Sequence, residues 1–192
     1  MKKLLCLVAL LALSLPAYPQ AGEDLPAIDV PILKCATVPV AGTSEIQTIT
    51  IGGTPTAGSF TLTFAGFTTS AITWTATDAT LVAAIDAALE ALPNVGTTGV
   101  TTAAGTLSSG IGTVTVTFTG NNAKLDVALM TGTSSLTGTS PTLAIATTTA
   151  GVTADGRKSG KGALLIDMTN GVLYINTGTS LNPTWTKVGT QS

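Results

Sequence analysis

Asp86 and Glu90 stand one helical turn apart in an alanine-rich stretch, the spacing at which two carboxyl groups could share general acid and base work. The same spacing is also the ordinary solvated face of an amphipathic helix, and the leucine stripe described below lies opposite it. Ser159 sits between Lys158 and Lys161, so a lysine is its only nearby base. Glycine-flanked backbone cannot hold such a pair at attack distance. Gly156 and Gly160-Lys161 suggest a phosphate loop, but only three residues separate the glycines, and Gly162 stands where the magnesium-binding hydroxyl belongs. Asn121, Asn122 and Asp126 could contribute oxygens to a calcium ion, yet no acidic loop of the calcium-binding kind surrounds them. Cys35 has no histidine to activate it.

Histidine is absent altogether, which removes the commonest general base and the commonest transition-metal ligand. These residues therefore predict no catalytic, cofactor-binding or metal residues, and a protein that is not an enzyme. Aromatic residues make up 4% of the chain, too few to build a base-stacking platform. The formal charge is -2, and removal of a segment carrying Lys2 and Lys3 makes it more negative still, so nucleic acid is not an expected partner. Only 9% of residues are charged, against about a quarter in an average soluble domain. Threonine, serine, glycine and alanine fill the gap, and the surface they make is neutral and rich in hydroxyls.

The elements that must carry this surface begin after an unusual N-terminus. Residues 1–21 combine Lys2 and Lys3, an apolar run from Leu4 to Leu15 and small residues around Pro16 and Pro19, the layout of a secretory signal peptide. An apolar arm docked on a partner is the alternative. The run is too short for a comfortable membrane crossing of roughly 20 residues, so no stable span remains once such a leader is removed. Cys6 lies too early to be a lipid-attachment cysteine. Residues 22–44 carry Pro26, Pro31 and Pro39 without a clean period and read as an extended arm or linker.

From Ile46 the pattern alternates, as in a sheet with one buried face. Ile49 and Ile51 share one parity and Phe60, Leu62 and Phe64 the other, with Gly52 to Gly58 between them predicting the turn of a hairpin. Ser70 to Thr75 reads as a third strand with Ile72 and Trp74 on one face. Leu81, Ile85, Leu89 and Leu92 then recur at helical spacing, predicting one helix over about 78–92, capped near Thr77, Asp78 or Thr80 and ended by Pro93-Asn94. Four further strands are expected over Val95–Ala103, Gly112–Thr119, Leu125–Thr131 and Pro141–Thr148, separated by turns that include Gly132 to Ser140. The fold class is mainly β: an antiparallel sandwich or open sheet over 45–150 with one packed helix.

Residues 151–161 concentrate basic and glycine residues and read as a linker. The final segment, 162–192, predicts a small three-stranded β-meander over Ala163–Ile166, Val172–Ile175 and Thr184–Val188, joined by Asp167 to Gly171, where Asn170-Gly171 is a hairpin signal, and by Asn176 to Pro183. So short a module must dock on a neighbour or on copies of itself. Tyr174 and Trp185 are its candidate partner or oligomer contacts, beside the simpler role of completing its own core.

The stretch EIQTITIGGTPTAGSFTLTFAG, continued by TWTATDATLVAAIDAALEALPNVG and VTVTFTG, resembles a β-rich domain found in virion structural proteins of tailed bacteriophages. GALLIDMTNGVLYINTGTSLNPTWTKVG is similar to a C-terminal element of phage head-decoration, head-fibre and tail-associated proteins. Together they cover about residues 45–190. The resemblance implies a capsid decoration, head-fibre or tail-associated protein on the virion surface. It also implies no cofactor, a homo-oligomer such as a trimer, and a capsid or tail lattice protein as partner. A signal peptide favours a second reading, an exported bacterial surface or filament-forming adhesive protein whose arm adds as a strand to the next subunit. A carbohydrate-binding module resting on Trp74, Tyr174 and Trp185 is a third.

Overall fold

A computed structural model describes residues 33–35, 39–156 and 158–189. The leader and most of the proline-rich arm lie outside the described residues. Ten strands and one α-helix are present among those described. In chain order these are β1 (Leu33–Cys35), β2 (Ile46–Phe64), β3 (Phe67–Thr68), β4 (Ile72–Thr73), α1 (Asp78–Glu90), β5 (Val100–Ala104) and β6 (Gly112–Phe118). They continue with β7 (Thr131–Thr149), β8 (Leu164–Asp167), β9 (Val172–Asn176) and β10 (Trp185–Lys187). Val40–Arg157 is one compact unit, and the described residues before and after it form a second.

The larger unit is an antiparallel six-stranded sheet whose spine is β2. Along one edge, β2 pairs with β7 from Ile46↔Thr149 to Thr63↔Thr131. Along the other it pairs first with β6, then with β4 and finally with β3, while β5 extends the sheet beyond β6. The expected hairpin is thus absent, because Gly52 to Gly58 does not reverse the chain into self-pairing. That segment is continuous strand, matched by an equally glycine- and threonine-rich stretch of β7, with register shifts between Gly52 and Thr54 and between Pro55 and Ala57. Bulges of this kind bend a ribbon and let its strands turn a corner between layers.

The corner explains the change of parity that suggested a hairpin. Ile49 and Ile51 before it, and Phe60, Leu62 and Phe64 after it, all enter one core. The two halves of the ribbon fold over one another. Phe64, near the end of β2, lies 4.9 Å from Phe118 between ring centroids, although Phe118 follows the register of the opposite end of β2. Likewise a Cβ on Gly132 would lie 2.7 Å from Leu143 Cδ2 and 3.3 Å from Ile145 Cδ1, so the halves of β7 meet across the fold.

Helix α1 covers this core with Leu81, Ile85 and Leu89, all fully buried, and Leu92 follows in the turn that ends it. Thr77 is the N-cap by backbone geometry, without a side-chain cap bond, and its carbonyl accepts the Leu81 amide at 3.0 Å. Alanine at the intervening positions supplies helix propensity and lets the sheet approach closely.

Other strands differ from the sequence reading in extent. The strand expected over Ser70–Thr75 shrinks to Ile72–Thr73, and Val95–Ala103 becomes Val100–Ala104, because residues 95–99 form a turn with Gly96 and Thr98 at positive φ. Gly132 to Ser140, expected as a turn, belongs to β7. Leu125 to Met130 is not a strand; only Thr131 of that expected element is, and it begins β7. The boundary between the two units falls within residues 151–161, the expected linker, and the first part of it, 151–155, is bonded into the larger unit. Val152 and Thr43 exchange backbone hydrogen bonds at 2.9 Å. The Val40 amide donates to Asp155 Oδ2 at 2.9 Å, and the Asp155 amide returns a bond to the Val40 carbonyl at 3.0 Å.

In the second unit β8, β9 and β10 form the expected antiparallel meander. To its β8 edge β1 adds in parallel, with Leu33 opposite Leu165 and Cys35 opposite Asp167. This piece of the arm therefore pairs with a strand of its own chain.

Candidate functional site

The two most deeply buried polar side chains of the larger unit stand at the start of β2. Glu45 is 2% exposed and Gln47 fully buried, on the parity of Ile49 and Ile51. Such residues persist inside a core only when their hydrogen bonds are made. The Gln47 side-chain amide donates to Glu45 Oε1 at 2.7 Å and to the Ala128 carbonyl at 3.0 Å, and its carbonyl accepts the Met130 amide at 2.9 Å. Glu45 Oε2 accepts the Val127 amide at 3.0 Å, and Oε1 accepts the Thr147 hydroxyl at 3.2 Å. Two side chains thus replace the ladder partner that residues 127–130 lack. Their inward parity was the signal in the sequence; what they hold was not visible there.

A second knot joins the start of the helix to the loop before β6. The Trp74 indole N–H donates to the Gly110 carbonyl at 2.9 Å, and the Gly110 amide donates to Asp78 Oδ1 at 2.7 Å. Gly110 has φ +74, and a Cβ there would strike the Thr75 carbonyl oxygen and the Trp74 ring.

In the C-terminal meander the two buried polar residues, Asp167 and Asn176, both bind backbone. Asp167, fully buried, accepts the Thr169 and Asn170 amides on Oδ1 at 2.9 and 3.1 Å and the Asn170 side-chain amide on Oδ2 at 2.7 Å. The Asn170 side chain in particular, with the two backbone amides, holds the Asp167 carboxyl below its ordinary range against the opposing pull of burial. Asn176 donates to the Ser159 and Gly160 carbonyls at 2.9 and 3.3 Å and accepts the Gly178 and Thr184 amides at 2.9 and 3.0 Å. One side chain therefore closes the loop between β9 and β10 and ties residues 159–160 to it.

The residues singled out for chemistry fall elsewhere. Asp86 accepts the Thr102 hydroxyl at 3.0 Å, joining α1 to β5. Asn122 lies in a 3-10 turn and donates to the Asn94 carbonyl at 2.9 Å. Among the described residues no three His, Cys, Asp or Glu side chains come together as a metal cluster. The Ser159 carbonyl is engaged by Asn176, and the Lys158 amide donates to the Ser180 carbonyl at 2.7 Å. Tyr174 and Trp185 are half-buried. Register places them on one face of the meander, Tyr174 opposite the fully buried Leu165 and Trp185 opposite Asn176.

Two shallow grooves flank α1, of about 480 and 470 Å³, one against Ile72 and Thr73 and the other against Thr101 and Thr102. Alanine lines both. A small-molecule site sets a few convergent polar groups in an apolar cleft; here the Asp86 carboxyl, the charged group in either lining, already holds Thr102.

Outside the core the larger sheet presents threonine. Thr48, Thr50, Thr113, Thr115 and Thr117 lie on the face opposite Ile49, Val114 and Val116. Thr48 bonds Thr148, Thr63 bonds Thr68 at 2.8 Å, and Thr106 bonds Thr113 at 2.9 Å. No helix among the described residues is long and apolar enough to cross a membrane. No protein-family model matches the chain, and no curated protein matches it.

Proposed function

We propose that this protein is a non-enzymatic structural component of a tailed-phage virion, a capsid decoration, head-fibre or tail-associated protein that binds a lattice and displays a neutral sheet surface. The observation that carries this reading is how its polar side chains are used. Glu45, Gln47, Asp167 and Asn176, the most deeply buried of them, all bind the protein's own backbone and hold loops in place. The outward face offers threonine hydroxyls and methyl groups in place of charge. That composition suits many copies bound side by side, where summed weak contacts supply affinity and like-charge repulsion is absent. The resemblance of residues 45–190 to virion proteins points the same way. Mass spectrometry of purified particles is the test: the chain should appear in stoichiometric amount, and its absence from particles overturns the reading.

The leader-like residues 1–21 favour one alternative, an exported bacterial surface or filament protein. N-terminal sequencing of the native protein separates the two. A start near Tyr18 or Gly22 supports export, and an intact Met1 end supports assembly in the cytoplasm.

A further inference from the structure

We infer that the free edge of β7 is a self-association surface, with Thr142–Thr148 pairing antiparallel to the same segment of a second copy about a twofold axis. This deepens the display reading and rests on it, by naming where copies meet. Among the described residues β7 has one strand neighbour, β2, so its other edge presents a row of backbone donors and acceptors that only another strand satisfies in series. Natural edge strands of this length are commonly guarded by charge. Here no charged side chain occurs from Val127 to Ala154.

The occupant follows from the residues of the edge. With Ile145 opposite its own symmetry mate, Ala144 faces Ala146 of the other copy, and Thr142 faces Thr148. Ala144 and Ala146 are exposed and small, so the backbones can approach without obstruction. On the opposite face Leu143 and Ile145 pack against the core yet remain half-buried, because the sheet stops beside them. The symmetry mate brings the same two apolar side chains to that face and completes their burial. Pro141, which has no N–H to donate, bounds the segment on one side. A foreign strand would satisfy the backbone equally well, but the absence of charge along the whole edge removes the repulsion that ordinarily keeps identical edges apart.

Sedimentation equilibrium of the purified chain tests this. The wild type should show a reversible monomer–dimer equilibrium. The double substitution Ala144→Lys and Ala146→Lys sets lysine against lysine across the twofold axis and should weaken the dimer roughly 100-fold. Thr101→Lys with Ala103→Lys, on the exposed positions of β5, should leave it unchanged. Should the first pair disturb folding by circular dichroism, Thr142→Lys with Thr148→Lys poses the same question at other exposed positions. A wild type that stays monomeric at high concentration, or a dimer indifferent to the β7 substitutions, overturns the inference. Either result leaves the presence of the chain in particles to be decided by mass spectrometry, so failure here and failure of the display reading are separable.

Discussion

The side-chain amide of Gln47 donates to the carboxyl of Glu45 at 2.7 Å, and from this joined pair bonds reach Val127, Ala128 and Met130, more than eighty residues away in sequence. Two neighbours in sequence therefore act as the ladder for a segment that forms none of its own. This couples the entry of β2 to the entry of β7, the two strands on which the ribbon is built.

Replacing Gln47 with leucine keeps the volume and removes every bond. The Met130 amide and the Glu45 carboxyl lose a partner inside the core, at about 1–3 kcal/mol for each buried group left unsatisfied, and the partly buried Ala128 carbonyl loses one that water can replace. Denaturant unfolding should show a loss of about 3 kcal/mol or more, and a loss below about 1 kcal/mol would mean that water reaches residues 127–130 freely. Glu45→Gln retains acceptor capacity at one oxygen and should cost less.

Gly110 and Gly171 both have positive φ but differ in their surroundings, and the two substitutions should separate conformational cost from crowding. At Gly171 a Cβ would have no heavy atom within 4 Å, so Gly171→Val carries mainly the left-handed backbone penalty, about 1–2 kcal/mol. Gly171→Asn should recover most of it. An unchanged melting profile for the valine variant would show that the hairpin turn does not depend on positive φ.

At Gly110 the same penalty is joined by collision with the Thr75 carbonyl and the Trp74 ring. Gly110→Ala should cost more than Gly171→Val, about 3 kcal/mol or above, by the sum of strain and overpacking. It should also shift the tryptophan emission, since the Trp74 indole bond to the Gly110 carbonyl is lost with the loop. Equal costs at the two glycines would refute the crowding at Gly110.

Asp167 makes the C-terminal meander sensitive to acid. Its carboxyl lies below the ordinary range in the folded state, chiefly through the Asn170 side chain. The ionised form is therefore favoured by folding. Its contribution is fully present above the unfolded carboxylate pKa and is lost as pH falls through the lowered folded value. Thermal melts of the wild type should fall across that acidic window. Asp167→Asn should be less stable at neutral pH and flatter in acid, and a parallel pH profile in the two proteins would remove Asp167 as the cause.

The amino-acid order determined the parts whose partners are close in sequence. The stripe Leu81, Ile85, Leu89 and Leu92 specifies a helix because one turn recurs every few residues, and α1 ends within two residues of the expected bound. Asn170-Gly171 specifies the β8–β9 turn because glycine accepts a φ of +66 without penalty. Alternation likewise sorted Val114, Val116 and Phe118 to the buried face of β6.

Only the tertiary structure decided what distant segments do for one another. Gly52 to Gly58 and Gly132 to Ser140 have the composition of turns. Laid side by side they become the bent centre of a ribbon, because each supplies the other's hydrogen bonds and their bulges fall together. Leu125 to Met130 has the alternation of a strand and is none, because Glu45 and Gln47 occupy the place of its neighbour. Local sequence sets the conformations a segment tolerates. Which of them it adopts depends on the partner that satisfies its backbone, and that partner is chosen only when the chain closes on its core.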